Sequence, residues 1–408
     1  MDQNDLTITD VNNGADTTAA EEQPPKEIQN WDELDIQTDI LRGIYAYGFD
    51  KPSFIQQRAI LPIISGNDVI AQAQSGTGKT GAFTISALNA VDLKSETPHT
   101  QVIIVAPTHE LAIQIANVNR SIGVMMEGLI VKTLIGGRPV NEDIQEITKR
   151  PPHIVVGTTG RILDMIQRRH LNVDHVKLFI LDEADEMLSS GFKTKIQDIF
   201  EYFNNDIQVA IFSATLPAEI LELTQRFMRN PIKITLDAEK LSLDGISQFY
   251  VAVANDNMKY DTLKDLFSYI SVSQSIIYCD SIDRVIKLYG AMLEEGFPVC
   301  CMHGDMGHAE RNEIFQKFQK GAFRVLISTN ITSRGIDVQQ VSVVINFDIP
   351  KCPHNYLHRI GRSGRWGRKG LAINFVTKRD VHLMRGIEKH YKKEIMELPN
   401  QSELKNYI

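Results

Sequence analysis

Short apolar runs of strand length recur along the chain between stretches of helical periodicity. Asp68-Val-Ile-Ala, Gln101-Val-Ile-Ile-Val, His153-Ile-Val-Val, Lys177-Leu-Phe-Ile-Leu and Gln208-Val-Ala-Ile-Phe form a first set. The runs are continuous and rich in β-branched residues instead of alternating. That pattern predicts strands of a parallel sheet covered by helices on both faces. Ser275-Ile-Ile-Tyr, Pro298-Val-Cys-Cys, Arg324-Val-Leu-Ile-Ser, Val341-Ser-Val-Val-Ile and Leu371-Ala-Ile-Asn-Phe form a second set. The polar stretch around Leu236–Gly245 separates them. The expected fold class is α/β, with two tandem domains at 31–236 and 246–408 joined by a linker at 237–245. Residues 1–30 are polar and are expected to be a disordered tail. A cleft between two such domains is a favoured ligand site.

The chain has 408 residues and a formal net charge of -8, which at first argues against a nucleic-acid binder. The charge is unevenly spread. Residues 1–30 hold seven acids against one base, residues 31–236 hold 24 acids against 19 bases, and residues 237–408 hold 20 acids against 23 bases. The acidity therefore sits mostly in the tail, and the last part is basic. The four cysteines, Cys279, Cys300, Cys301 and Cys352, form no CxxC pair, which fits a reducing compartment and no zinc site. The start of the chain has no signal-peptide pattern, and no run approaches a membrane span. The expectation is a soluble intracellular protein with no membrane partner.

Ala73-Gln-Ser-Gly-Thr-Gly-Lys79-Thr80 follows one apolar run and precedes a helical stretch. It is a P-loop variant. Glycines such as Gly76 and Gly78 let backbone N–H groups point at phosphate oxygens, Lys79 reaches the β- and γ-phosphates, and Thr80 can hold Mg²⁺. Ser75, Thr77 and the helix N-terminus complete the cradle. Asp182-Glu183-Ala-Asp185 ends another run, where open α/β sheets bind ligands. Asp182 suits Mg²⁺, held through water, and Glu183 suits positioning of a nucleophilic water. From Arg359, five bases fall within eleven residues without an acid. They suit either an arginine finger to the γ-phosphate or contact with a nucleic-acid backbone.

In identity and order these motifs resemble those of the DEAD-box RNA helicases, from about Trp31 onward. Within that family the chain is similar to the translation initiation factor four-A group, which includes an exon-junction helicase branch and a ribosome-assembly relative. The resemblance implies two RecA-like domains that close over ATP and RNA. In Gly48-Phe49-Asp-Lys-Pro52-Ser-Phe-Ile-Gln56, Gln56 would read adenine and Phe49 would stack on it, with Trp31 as the upstream aromatic. Gly335 and Asp337 would contact nucleotide, and Arg362 and Arg365 would reach the γ-phosphate. Asp185, Ser213, Thr215 and His358 would couple hydrolysis to closure. RNA contacts would map onto Pro107, Thr108, His109, Gly136, Gly137, Thr158, Gly160 and Arg161, and onto Gly304, Arg311 and Thr329.

The sequence departs from the family at several points. His109 and Thr159 replace Arg and Pro, His308 replaces Gln, Asn330 replaces Asp, and Ser333 replaces Ala. Tyr278-Cys279-Asp280 stands where Phe-Cys-Asn is usual. An ordinary imidazole, with a pKa of ~6.5, is only about a quarter protonated at pH 7. His109 therefore predicts weaker RNA binding than an arginine would give. The expected activity is ATP-dependent, Mg²⁺-assisted remodelling of single-stranded and short duplex RNA with little sequence preference. A slow-turnover RNA clamp that anchors partners is the alternative. The resemblance leaves initiation and nuclear mRNA processing open, with a lean to the nucleus. It implies initiation-factor or exon-junction scaffolds as partners of a monomeric protein.

Overall fold

The computed structural model describes residues 27–74, 76–95, 98–189, 191–235, 245–270, 274–332, 341–363, 369–404 and 407. The expected linker at 237–245 lies almost wholly outside these residues, as does the tail as far as residue 26.

In chain order the first half holds β1 (Val69–Gln72), β2 (Val102–Ala106), β3 (Val131–Leu134), β4 (Ile154–Thr158), β5 (Leu178–Asp182), β6 (Gln208–Ser213) and β7 (Ile232–Ile234). The second half holds β8 (Ile246–Ala252), β9 (Gln274–Tyr278), β10 (Val299–Met302), β11 (Val325–Ser328), β12 (Val341–Asn346), β13 (Gly370–Val376) and β14 (Met396–Glu397). Every strand pair is parallel. The two sheets have orders β3-β4-β2-β5-β6-β1-β7 and β10-β11-β9-β12-β13-β8-β14. Adding seven to each strand number of the first order gives the second. The repeat seen in the apolar runs is thus a repeat of topology, with one RecA-like sheet per half.

The continuous runs follow from two-sided burial. Val102, Ile104 and Ala106 of β2 face one core, while Ile103 and Val105 face another. Each strand between its neighbours therefore needs apolar residues at every position. The ten runs found in the sequence are ten of these strands. The four strands without such a signal are β3, β7, β8 and β14. β3, β7 and β14 are sheet edges, covered on fewer sides, and carry polar residues such as Lys132 and Lys233 within them. β8 is interior, but Gln248 interrupts its apolar pattern.

One boundary shifts. Residues 27–30 belong to the folded body and not to the tail: Ile28 is buried, its N–H donates to the Gln57 carbonyl at 3.1 Å, and Glu27 pairs with Arg58. A single large apolar residue in a polar run was enough to anchor the segment. Among the described residues no helix is long and apolar enough to cross a membrane.

Candidate nucleotide and RNA sites

The P-loop connects β1 to the helix Lys79–Ala90. Gly78 caps that helix with φ at 102°, a left-handed backbone that a side chain strains. A Cβ there would also sit 2.5 Å from Ser53 Oγ. Lys79 opens the helix and is buried, with Nζ 3.4 Å from Glu183 Oε1.

Gln56 lies near the start of the helix Phe54–Ile64 and joins the loop to it. Its Oε1 accepts from the Ser53 N–H at 2.7 Å, and its Nε2 donates to the Gly78 carbonyl at 3.2 Å. Ser53-Phe-Ile-Gln56 is a capping box, a pattern legible in the sequence. One lone pair and one N–H of the amide remain for a base. Phe49 and Tyr47 stand beside it, ring to ring at 4.9 Å.

Asp182 ends β5 and is buried. Burial pushes its carboxyl up to about 7, with Lys79 opposing the shift and Glu183 adding to it; the Glu183 N–H donates to Oδ1 at 3.0 Å. Glu183 is held at φ 51°, a left-handed conformation that costs a residue with a Cβ about 1–2 kcal/mol. Such strain is characteristic of functional turns. Asp185 follows, its N–H donating to Ser213 Oγ at 3.2 Å. Ser213 Oγ donates to the Thr215 carbonyl at 2.7 Å, and Thr215 Oγ1 donates to Asp185 Oδ2 at 2.8 Å.

The second half completes this site. The helix Pro353–Ile360 brings His358 Nε2 within 3.3 Å of Asp185 Oδ2. Arg362, just past its end, enters the wall of the cavity formed by Phe49, Gln56, Lys79, Thr80, Asp182 and Glu183. Its Nε donates to the His358 carbonyl at 3.1 Å. A second contact crosses the cleft where Arg311 Nε lies 3.5 Å from Glu110 Oε1, both buried. A separate groove in the first half is lined by Pro107, His109, Gly136, Thr158, Thr159, Gly160 and Arg161.

The DEAD/DEAH box helicase family matches residues 53–223, and the helicase conserved C-terminal domain matches residues 258–367. The chain is 49% identical over 372 residues to Eukaryotic initiation factor 4A of Caenorhabditis elegans, spanning 91% of this chain and 92% of that one. It is 51% identical over 372 residues to ATP-dependent RNA helicase eIF4A of Candida albicans, spanning 91% and 93%. The chain belongs to the DEAD-box ATP-dependent RNA helicases. Among solved DEAD-box helicases, S. cerevisiae Dbp5 bound to RNA and ADP BeF3 superposes with a TM-score of 0.85 at 33% identity, covering 93% of this chain and 97% of that one. Mss116p bound to ssRNA and AMP-PNP gives 0.84 at 26% identity, covering 95% and 83%.

Within this helicase many of the residues singled out from sequence meet in one place. Phe49, Gln56, Gly76, Thr77, Gly78, Lys79, Thr80, Asp182, Glu183 and Arg362 line one cavity. Ser75, Gly335, Asp337, Arg365 and Ser333 lie outside the described residues. Trp31, Thr108 and Arg161 have structural partners that the sequence did not show. Trp31 is wholly buried behind Phe49, stacked on its ring at 6.2 Å with Nε1–H donating to the Phe49 carbonyl at 3.0 Å. It therefore backs the Phe49 ring and is not a cavity wall. Thr108 Oγ1 caps the helix His109–Ile122 by accepting from the Leu111 N–H at 3.2 Å. Arg161 is buried in an ion pair with Asp143 and donates to the Arg138 carbonyl at 2.7 Å. It therefore shapes the groove more than it presents a free charge to it.

Gly137 (φ 78°) lies beside the groove-lining Gly136. Gly304 is exposed in the second half, and Thr329 follows β11 there. Two positions at which the resemblance implies another residue gain a physical account. Thr159 opens the helix Thr159–Gln167, where proline is favoured for its fixed φ. It is buried, with its hydroxyl 3.9 Å from Met187 Sδ. His109 faces the groove, and a Cβ on Gly136 would lie 3.3 Å from its Nε2. Sequence reading missed Leu111, Gln114 and Val118, which line the nucleotide cavity from one face of the helix His109–Ile122. Their three- and four-residue spacing was the available signal, but it reads equally well as core.

Proposed function

We propose that the chain couples ATP hydrolysis to closure of its two halves on single-stranded RNA, opening short duplexes locally during translation initiation. The observation that carries this reading is Arg362. It reaches from the second half into a cavity otherwise built by the P-loop and the Asp182-Glu183 turn, while neighbouring His358 binds Asp185. A hydrolytic site completed only by both halves makes turnover depend on closure.

In this reading adenine lies against Phe49, within reach of the remaining donor and acceptor of Gln56. Loop N–H groups and Lys79 hold the phosphates. Arg362, with Arg365, places positive charge at the γ-phosphate, and Glu183 orients the attacking water. The donor set fits Mg²⁺: the Thr80 hydroxyl and the Asp182 carboxylate are hard oxygens, and a buried carboxyl pushed up to about 7 beside a second acid is short of positive charge. Thr80 directly, and Asp182 through water, would hold the ion. Bound there it supplies charge neutralisation on the transferring phosphoryl group.

The groove from Pro107 to Arg161 would take the sugar–phosphate backbone, which gives little sequence preference. The relatives named as initiation factors support translation initiation and a cytoplasmic site of action; the lean toward the nucleus finds no support among them. Initiation-type scaffold proteins are the partners this reading implies. The test is steady-state ATPase and strand separation of a short RNA duplex, each with and without single-stranded RNA. RNA-stimulated turnover with unwinding is expected. Turnover so slow that the protein stays on RNA would favour the clamp instead, and an ATPase rate indifferent to RNA would refute both.

A further inference from the structure

Arg359 lies on the helix Pro353–Ile360 between His358 and Arg362, and its side chain is completely buried. Its guanidinium binds the ends of three adjacent strands. Nε donates to Asn330 Oδ1 at 2.7 Å, beyond β11. One terminal nitrogen donates to Asn346 Oδ1 at 3.1 Å and to the Asp348 carbonyl at 2.7 Å, at the end of β12. The other donates to Asp280 Oδ1 at 3.2 Å, beyond β9. The Tyr278 ring lies 5.2 Å from the guanidinium carbon. This one side chain ties the helix that carries His358 and Arg362 to the C-terminal edge of the second sheet.

A buried cation requires a counter-charge. The nearby Asp348 carboxylate is shared between Lys259, at 2.9 Å, and Arg284, whose Nε and terminal nitrogen each donate to it at 2.7 Å. Its Oδ2 also accepts the Asp280 N–H at 3.1 Å, which fixes the Asp280 backbone. Among the described residues Asp280 is the carboxylate hydrogen-bonded to Arg359.

Asp280 and Asn330 accept from opposite sides of the same guanidinium. Asn and Asp have nearly the same shape, and each offers an oxygen that can accept from a guanidinium. Exchanging them moves the negative charge from one side of Arg359 to the other and keeps both acceptors. We propose that Asp280 is the counter-charge that neutralises the buried Arg359, with Asn330 as a neutral acceptor opposite it, and that Arg359 held in this way is a positioning residue for Arg362 and His358. The role for Arg362 rests on the ATP-hydrolysing reading of the cavity.

The test is a double-mutant cycle of Asp280→Asn, Asn330→Asp and the combined variant. It reads thermal unfolding and the kcat and KM of RNA-stimulated ATPase. Asp280→Asn leaves Arg359 without its carboxylate and Asn330→Asp adds a second one. Each single change is expected to lower kcat by about tenfold or more, as for a perturbed buried ion pair. The KM for ATP should stay within about threefold because the base and P-loop contacts lie in the other half. The combined variant restores one carboxylate at the alternative position, so its kcat and unfolding midpoint should return close to the parent. If Asp280→Asn alone fails to fold, recovery of a folded, active protein in the combined variant supports a single counter-charge on Arg359. Additive losses, a combined variant that stays unfolded, or an unchanged kcat in Asp280→Asn would each overturn it. A parent protein without RNA-stimulated ATPase would instead refute the reading on which the role of Arg362 rests.

Discussion

Close contacts around single residues decide nucleotide binding. A Cβ on Gly81 would overlap Gln56 Nε2 and come within 2.8 Å of Phe49 Cε2. Gly81 thus leaves the room that lets the Gln56 amide bridge the loop and the Phe49 ring stand beside it. Gly81→Ala is expected to weaken ATP binding about tenfold or more, since displacing two packed groups costs on the order of 1–3 kcal/mol. Its unfolding midpoint should fall by no more than a few degrees; nucleotide titration and a thermal melt check this. His109 makes a second residue-scale case. An arginine at its place carries a full charge at pH 7.5, so His109→Arg should tighten RNA binding and steepen its salt dependence by about one phosphate contact. Unchanged affinity at pH 7.5 would remove His109 from the RNA groove.

For most strands, legibility in the sequence followed from how many sides are covered, with the interior β8, interrupted by Gln248, and the edge strand β10, an apolar run, as the exceptions. Ten interior or well-covered strands announced themselves as unbroken apolar runs. β3, β7 and β14, at sheet edges, carry polar positions and left no such signal. The nucleotide cavity was legible because its chemistry is concentrated in short contiguous motifs. The network around Arg359 was not, because Asp280, Asn330, Asn346 and Asp348 are far apart in sequence and meet only where neighbouring strands end. Entry into β4 carries a prediction of its own. His153 is buried, its Nδ1 accepts the Ile130 N–H at 3.1 Å, and burial, with smaller effects of His99 and Arg150, lowers its pKa. The unfolded chain therefore takes up this proton first. The stability contributed at His153 is intact above about pH 6.5, the ordinary imidazole value, and is lost as pH falls below it. His153→Asn keeps an acceptor but cannot titrate. Its unfolding midpoint should fall less than that of the parent between pH 7 and 5.5.

At the scale of the whole molecule, the contacts that join the halves among the described residues include Asp185 with His358 beside the nucleotide cavity and Glu110 with Arg311. Glu110 follows His109 in the chain, so the second contact lies next to the histidine that lines the groove. Arg311→Ala leaves Glu110 buried without that partner in the closed form. It should lower RNA-stimulated turnover several-fold while ADP affinity, which rests on the first half, stays unchanged. The acidity of the chain fits the same picture. Most of the net charge of -8 belongs to the first 30 residues, and the basic excess of the second half is small. Electrostatics alone would give such a body a modest hold on RNA, and in the proposed function closure over nucleotide supplies the rest. The most direct measurement is the affinity for a single-stranded RNA at fixed salt with no nucleotide, with ADP, and with ADP plus beryllium fluoride. Closure coupled to the γ-phosphate position predicts binding at least about tenfold tighter in the last condition than in the other two, a coupling of the usual allosteric size. Equal affinity in all three conditions would contradict the account.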